Sequence, residues 1–167
     1  VDIPILLYNI PGRAIVEITV ETMARLAKNR NIFGVKDATA DLMRPSRERN
    51  AIGPDWRLIS GEDGTALGYM AHGGHGCISV TANVAPRLCA EFQQACMAGD
   101  FAKARGYQDR LMPLHDAMFC EPSPAPAKYG VSLLGRCLPG VRLPLVEATD
   151  AARAQVKAAM QGAGLKI

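Results

Sequence analysis

Four short apolar runs, each followed by a polar or glycine-rich turn and then a helical pattern, predict an α/β fold with parallel strands and crossover helices. The runs lie at residues 3–8, 32–36, 57–60 and 76–80 and are rich in β-branched residues. Beyond Gly99 the pattern is helical only. A complete (β/α)8 barrel takes about 250 residues, so four βα units amount to half of one. The predicted architecture is therefore half of a TIM barrel over residues 1–99, followed by a helical region over residues 100–167.

Each element has a local reason. Run length alone does not separate short strands from pieces of buried helix, and here the flanking turns decide. Thr19 supplies a cap for a helix through Met23, Leu26 and Ala27, with Lys28 and Arg30 near its C-terminal end, where cations suit the dipole. Asp41 or Ser46 starts the next helix, which Gly53-Pro54 ends. A short helix over residues 65–71 stops at His72-Gly73-Gly74. Pro86 fits the first turn of a longer helix through Leu88, Phe92 and Met97. Phe101, Ala104, Tyr107, Leu111, Leu114 and Met118 recur at helical spacing. Pro122, Pro124 and Pro126 predict an extended turn over residues 121–126. Helices over residues 128–134 and 149–163 complete the chain, the last ended by Gly164.

Composition narrows the function. Of the 167 residues, 49% are hydrophobic and 21% charged, an ordinary globular balance. The net charge of +3 is scattered rather than striped, which argues against nucleic-acid binding. No apolar run approaches the ~20 residues that span a bilayer, and no signal peptide is recognisable, so no membrane role is expected. The five cysteines, Cys77, Cys89, Cys96, Cys120 and Cys137, include no CxxC pair and read as reduced thiols of a cytoplasmic protein. The start at Val1-Asp2-Ile3-Pro4, without methionine and close to a strand, suggests a piece of something longer.

Two strand ends carry the best candidates for chemistry. Lys36 ends the run in Phe33-Gly34-Val35-Lys36-Asp37, and Tyr8 ends the run in Ile5-Leu6-Leu7-Tyr8-Asn9. Strand ends of an α/β barrel share one mouth, so the two side chains can face one substrate. A lysine desolvated among apolar neighbours keeps more free amine, the form that attacks a carbonyl and forms a Schiff base. The alternative is a lysine that reaches solvent and pairs with Asp37. The Tyr8 phenol can relay protons to a lysine adduct, or it is a core aromatic satisfied by backbone. Arg13, held beyond Pro11-Gly12, can grip a carboxylate with two bonds or be an exposed loop arginine.

Gly61 permits close approach of backbone to a small ligand. Glu62 and Asp63 are adjacent and point apart on a strand, and Asp63 is expected to serve the following helix N-terminus. His72, His75 and His115 lack partners at ligand spacing and read as structural, and Met70, Met97 and Met112 as core filler.

At Tyr8-Asn9-Ile10-Pro11-Gly12-Arg13 and Gly34-Val35-Lys36-Asp37-Ala38 the chain resembles the dihydrodipicolinate synthases of the pyruvate-dependent class I aldolase superfamily. The likeness continues through Ser60-Gly61-Glu62-Asp63 and Gly73-Gly74-His75-Gly76-Cys77-Ile78-Ser79-Val80-Thr81-Ala82-Asn83. It reaches Arg110-Leu111-Met112-Pro113-Leu114 and Glu121-Pro122-Ser123-Pro124-Ala125-Pro126-Ala127-Lys128. The resemblance implies that Lys36 condenses with pyruvate, that Tyr8 shuttles protons, and that Arg13 binds the carboxylate of L-aspartate 4-semialdehyde. It places Gly61 and Ile78 in the pyruvate pocket. The implied product is 4-hydroxy-tetrahydrodipicolinate, on the route to diaminopimelate and lysine. No metal or organic cofactor is implied, since the lysine is itself the electron sink.

By the same resemblance the chain matches its relatives from the fifth barrel strand onward, the C-terminal half of the barrel and its helical extension. A threonine pair of the proton relay, a tyrosine donated across a dimer and most of a lysine feedback site belong to the other half. The full-length form is expected to be a homo-oligomer, a dimer of dimers. Sialic acid lyases usually lack arginine at the Arg13 position. The alternatives are another pyruvate-dependent aldolase of the superfamily and an inactive half-barrel that serves as an interaction module.

Overall fold

Pro4 sets where the first strand starts, because its ring nitrogen cannot donate to a ladder. In the computed structural model, which describes residues 2–167, β1 therefore spans Ile5–Asn9 rather than beginning at Ile3. The remaining strands are β2 Ile32–Asp37, β3 Arg57–Ser60 and β4 Gly76–Cys77. All are parallel and lie in the order β1-β2-β3-β4. Strand β4 is shorter than its apolar run predicts. Ser79 Oγ accepts from Ala82 N at 2.9 Å, a local bond that bends the chain into a 3-10 turn at Thr81–Asn83.

The helices are α1 Pro11–Ala14, α2 Val20–Leu26, α3 Arg44–Ile52, α4 Ala66–Ala71, α5 Pro86–Met97, α6 Phe101–Met118, α7 Ala125–Leu133 and α8 Asp150–Gly162. Thr19 caps α2 through its bond from Thr22 N, as predicted. Neither Asp41 nor Ser46 begins α3. Asp41 instead accepts from Met43 N and Arg44 N in the turn before it. Helix α7 starts before the third proline of the run, contrary to the predicted extended turn. Pro126 lies in its first turn, where a missing N–H costs no helical bond. In α6 the predicted positions 104, 111, 114 and 118 are buried, whereas Phe101 is exposed.

Contacts divide the chain into two compact units. One runs to Ile78 and includes Cys96–Gly99. Its core is Met23, Val35, Trp56, Leu58 and Tyr69, packed beneath the sheet. The other comprises Ser79–Ala95 and Asp100–Ile167, in which α8 packs on α6 and α7. Thr149 caps α8 and is itself held by Glu121, whose carboxylate accepts from Thr149 N at 3.1 Å.

The sheet has two unlike faces. In-register neighbours of a parallel sheet share a face, and successive residues alternate. Tyr8, Lys36, Ile59 and Gly76 form one row, and none of them is fully buried. The next row, Asn9, Asp37, Ser60 and Cys77, turns to the other side, and its first three members are buried. No helix among the described residues is long and apolar enough to cross a membrane.

Candidate active site

Register brings the two predicted strand-end residues together. Tyr8 pairs with Lys36 across β1 and β2, so both side chains leave the same face at the same height. The Lys36 ammonium lies over the phenol ring, 4.0 Å from its centroid, where the ring quadrupole attracts a cation. The amine is half-buried rather than enclosed, and Tyr8 is 46% exposed. Pairing of Lys36 with Asp37, the alternative reading, is not what the geometry shows. Asp37 points to the opposite face, and its carboxylate is engaged by Asn9, Thr39 and Arg44.

Gly61 makes room for this lysine. A Cβ at position 61 would stand 3.0 Å from Lys36 Cε, 3.1 Å from Lys36 Cγ and 3.1 Å from Ala38 Cβ. Its backbone N–H continues the ladder by donating to Asp37 O at 2.6 Å. Ile78 follows β4, donates its N–H to Ser60 O at 2.9 Å and keeps its side chain 48% exposed. Arg13 sits exposed in α1, directly after the strand that ends in Tyr8 and Asn9. That helix ends at Ile15 with φ 67°, a left-handed conformation in which a β-branched residue is strained.

The other candidates resolve into structural roles. His75 Nδ1 accepts from Leu58 N at 3.1 Å, and His72 Nδ1 lies 2.8 Å from Gly68 O. His115 Nδ1 lies 2.7 Å from Thr81 Oγ1. Thr65 is the N-cap residue of α4, Asp63 O accepts from Ala66 N at 3.3 Å at the start of that helix, and the Asp63 carboxylate accepts from the Cys77 thiol. All five cysteines are free thiols, and burial pushes those of Cys96 and Cys120 up. Among the described residues no group of three or more His, Cys, Asp or Glu side chains is arranged to hold a metal.

Sequence reasoning missed the polar cluster on the covered side of the sheet. Asn9 Nδ2 donates to Asp37 Oδ1 at 2.9 Å, and Arg44 Nε lies 3.4 Å from the same oxygen. Arg44 also donates to Glu48 Oε1 at 3.1 Å, while Trp56 Nε1 donates to Glu48 Oε2 at 3.1 Å. Burial pushes the Glu48 carboxyl above the usual range, against the lowering effects of Trp56 and Arg44. Burial likewise raises the Tyr69 phenol, with the charges of Asp37 and Glu48 adding to the shift. The available signal was a polar residue directly after each of Tyr8 and Lys36, where strand alternation points it at the core.

The model of the dihydrodipicolinate synthetase family matches residues 1–163. The chain belongs to this family. It is 61% identical over 165 residues to 4-hydroxy-tetrahydrodipicolinate synthase of Parvibaculum lavamentivorans, a match that covers 99% of this chain and 57% of that protein. The same enzyme of Rhizobium meliloti is 61% identical over 166 residues, again with 99% and 57% covered. Among solved structures, dihydrodipicolinate synthase from Aquifex aeolicus superposes with a TM-score of 0.95 at 38% identity, covering 99% of this chain and 57% of that one. The synthase from Acinetobacter baumannii, complexed with pyruvate, gives 0.94 at 37% identity with the same coverage. The α/β fold with its parallel sheet is thus that of the dihydrodipicolinate synthases. The chain spans about 57% of the length of these relatives.

Proposed function

We propose that the protein carrying this chain condenses pyruvate with L-aspartate 4-semialdehyde, through a Schiff base on Lys36, to give 4-hydroxy-tetrahydrodipicolinate. The observation that carries this reading is the Lys36 amine held over the Tyr8 ring beside a side-chain-free Gly61. The names of the relatives supply the substrate class.

In this reading Lys36 Nζ attacks the keto carbon of pyruvate. The carbonyl oxygen departs as water after taking up two protons, which leaves an iminium. Loss of a proton from the methyl carbon gives the enamine, with the iminium nitrogen as electron sink. That carbon adds to the aldehyde, whose oxygen takes a proton and becomes the hydroxyl. The amine of the semialdehyde then attacks the imine carbon, closes the ring and displaces Lys36. Tyr8, whose hydroxyl can donate or accept, is assigned the proton transfers in these steps. Arg13 is assigned to the semialdehyde carboxylate, and Gly61 and Ile78 to the pyruvate pocket.

The chain is read as strands five to eight of a (β/α)8 barrel over residues 1–99, with the helical extension over residues 100–167. Support comes from the sheet itself, since a parallel sheet is normally covered on both faces and the row Tyr8, Lys36, Ile59 and Gly76 on one face of this one has no buried member. The full-length form is taken to be a cytoplasmic homo-oligomer, a dimer of dimers. The exposed Leu138, Leu143 and Val146 are consistent with a further interface.

The alternative reading is an inactive half-barrel that serves as an interaction module. Incubation with pyruvate and borohydride separates the two. The active reading expects a reduced pyruvyl adduct on the peptide bearing Lys36, abolished by Lys36→Ala. Full-length protein carrying the chain that is folded yet stays unlabelled at saturating pyruvate overturns it.

A further inference from the structure

We propose that Asn9 and Asp37 are positioning residues, and that their buried cluster sets the Tyr8–Lys36 pair and closes the loop that carries Arg13. The proposal rests on the reading that Lys36, Tyr8 and Arg13 act on substrate, although its loop component is testable without that reading.

The cluster lies directly behind the reacting row. Asn9 and Asp37 are register partners one step beyond Tyr8 and Lys36, and alternation sends their side chains to the opposite face. They are 1% and 2% exposed. Buried polar groups of this kind are costly unless bonded, and apolar residues would pack a sheet against a helix at least as well. What the polar pair adds is direction. The 2.9 Å bond from Asn9 Nδ2 to Asp37 Oδ1 ties β1 to β2 at the ends that carry Tyr8 and Lys36. The second Asp37 oxygen accepts from Thr39 Oγ1 at 2.6 Å, and Arg44 faces the first, so the carboxylate is held from three sides.

The same cluster anchors the loop. Asn9 Oδ1 accepts from Ile18 N at 2.9 Å, and Arg44 Nη2 donates to Ile18 O at 2.8 Å. Both backbone polar groups of Ile18 are thereby claimed, which closes the segment between Asn9 and Ile18. Helix α1 inside that segment buries no residue and has no side-chain cap, so packing of its own does not orient it. The direction of Arg13 is then inherited from the anchor at Ile18. One cluster thus fixes both the amine–phenol pair and the arginine.

The test uses the full-length protein carrying this chain, with Asn9→Ala and Asn9→Asp. Trypsin reads the loop, because Arg13 is exposed. Asn9→Ala is expected to raise nicking after Arg13 by about tenfold, with other tryptic sites unchanged, as local opening requires. A merely structural role would raise cleavage everywhere. Asn9→Asp keeps the acceptor for Ile18 N and loses the donor to Asp37. It is expected to nick like the parent yet trap pyruvate with borohydride about tenfold more slowly per folded molecule. If Asn9→Ala fails to fold, Asn9→Asp still tests both parts, because nicking above the parent in a variant that keeps the acceptor overturns the loop anchor. Parent-like nicking in Asn9→Ala overturns the loop anchor, and parent-like trapping in Asn9→Asp overturns the positioning of the pair. Absence of any adduct on Lys36 in the parent overturns the functional reading instead, and the nicking result still decides whether Asn9 anchors the loop.

Discussion

Gly61 shows how little a single residue must change to separate chemistry from stability. An added Cβ would meet the Lys36 stem at 3.0 and 3.1 Å and Ala38 Cβ at 3.1 Å, tighter than ordinary packing. Ala38 is fixed by its backbone, so the lysine stem is the part that yields. Replacing Gly by Ala also lowers unfolded-state entropy, a gain of about 0.4–1 kcal/mol that offsets a modest overlap. The chemistry has no such compensation, since a displacement on the order of 1 Å costs roughly a hundredfold. Gly61→Ala is therefore expected to slow borohydride-trapped imine formation by about ten- to a hundredfold while the urea midpoint barely moves. Parent-like trapping in this variant would mean that the Lys36 stem does not need the space.

At the level of elements, a glycine inside α7 tests which of two opposed effects wins. Gly130 faces Val84, and a Cβ there would stand 2.8 Å from Val84 Cγ1 and 3.3 Å from Met160 Sδ. Alanine is the better helix former by about 1 kcal/mol. Val84, however, is buried and stiff at its branched carbon, and overpacking of such a site costs about 1–3 kcal/mol. Gly130→Ala is expected to lose about 1 kcal/mol in urea unfolding, and a gain would show that α7 can move aside. The sequence revealed most of the elements for simple reasons. The apolar runs and helical spacing record burial directly, and Thr19 and Thr149 announce their helices by local chemistry. It hid what depends on tertiary partners. Helix α1 reads as a Pro-Gly loop because it has no apolar face of its own. The end of β4 is set by the Ser79 hydroxyl, and α3 starts three residues past Asp41, which is held in a hydrogen-bonded turn. Of the candidate site, Lys36 and Tyr8 were visible as strand ends that register pairs, and Gly61 as a glycine after the third strand, where it leaves room for the Lys36 stem. The Asn9–Asp37–Arg44–Glu48 cluster was not, because only the fold tells which helix supplies the cation.

For the molecule as a whole, that cluster makes folding respond to pH. Glu48 is fully buried between Arg44 and Trp56, and burial raises its carboxyl above the unfolded value despite both partners. The folded state then binds a proton in the interval between the ordinary and the raised value, where the unfolded chain has lost it. Stability from this group is fully present below the ordinary carboxylate range and is lost as pH rises through the raised value. Above that value the carboxylate is charged, and its attraction to Arg44 offsets only part of the desolvation. Glu48→Gln removes the titration while keeping shape and an acceptor for Trp56. The difference in unfolding free energy between parent and variant cancels the other ionisable groups to first order. That difference is expected to move against the parent as pH rises through the window, then to level off. Urea unfolding of both proteins at a series of pH values measures it. A difference that instead moves in favour of the parent with rising pH would show that Arg44 wins over burial, and that the cluster is held together by charge rather than tolerated for its direction.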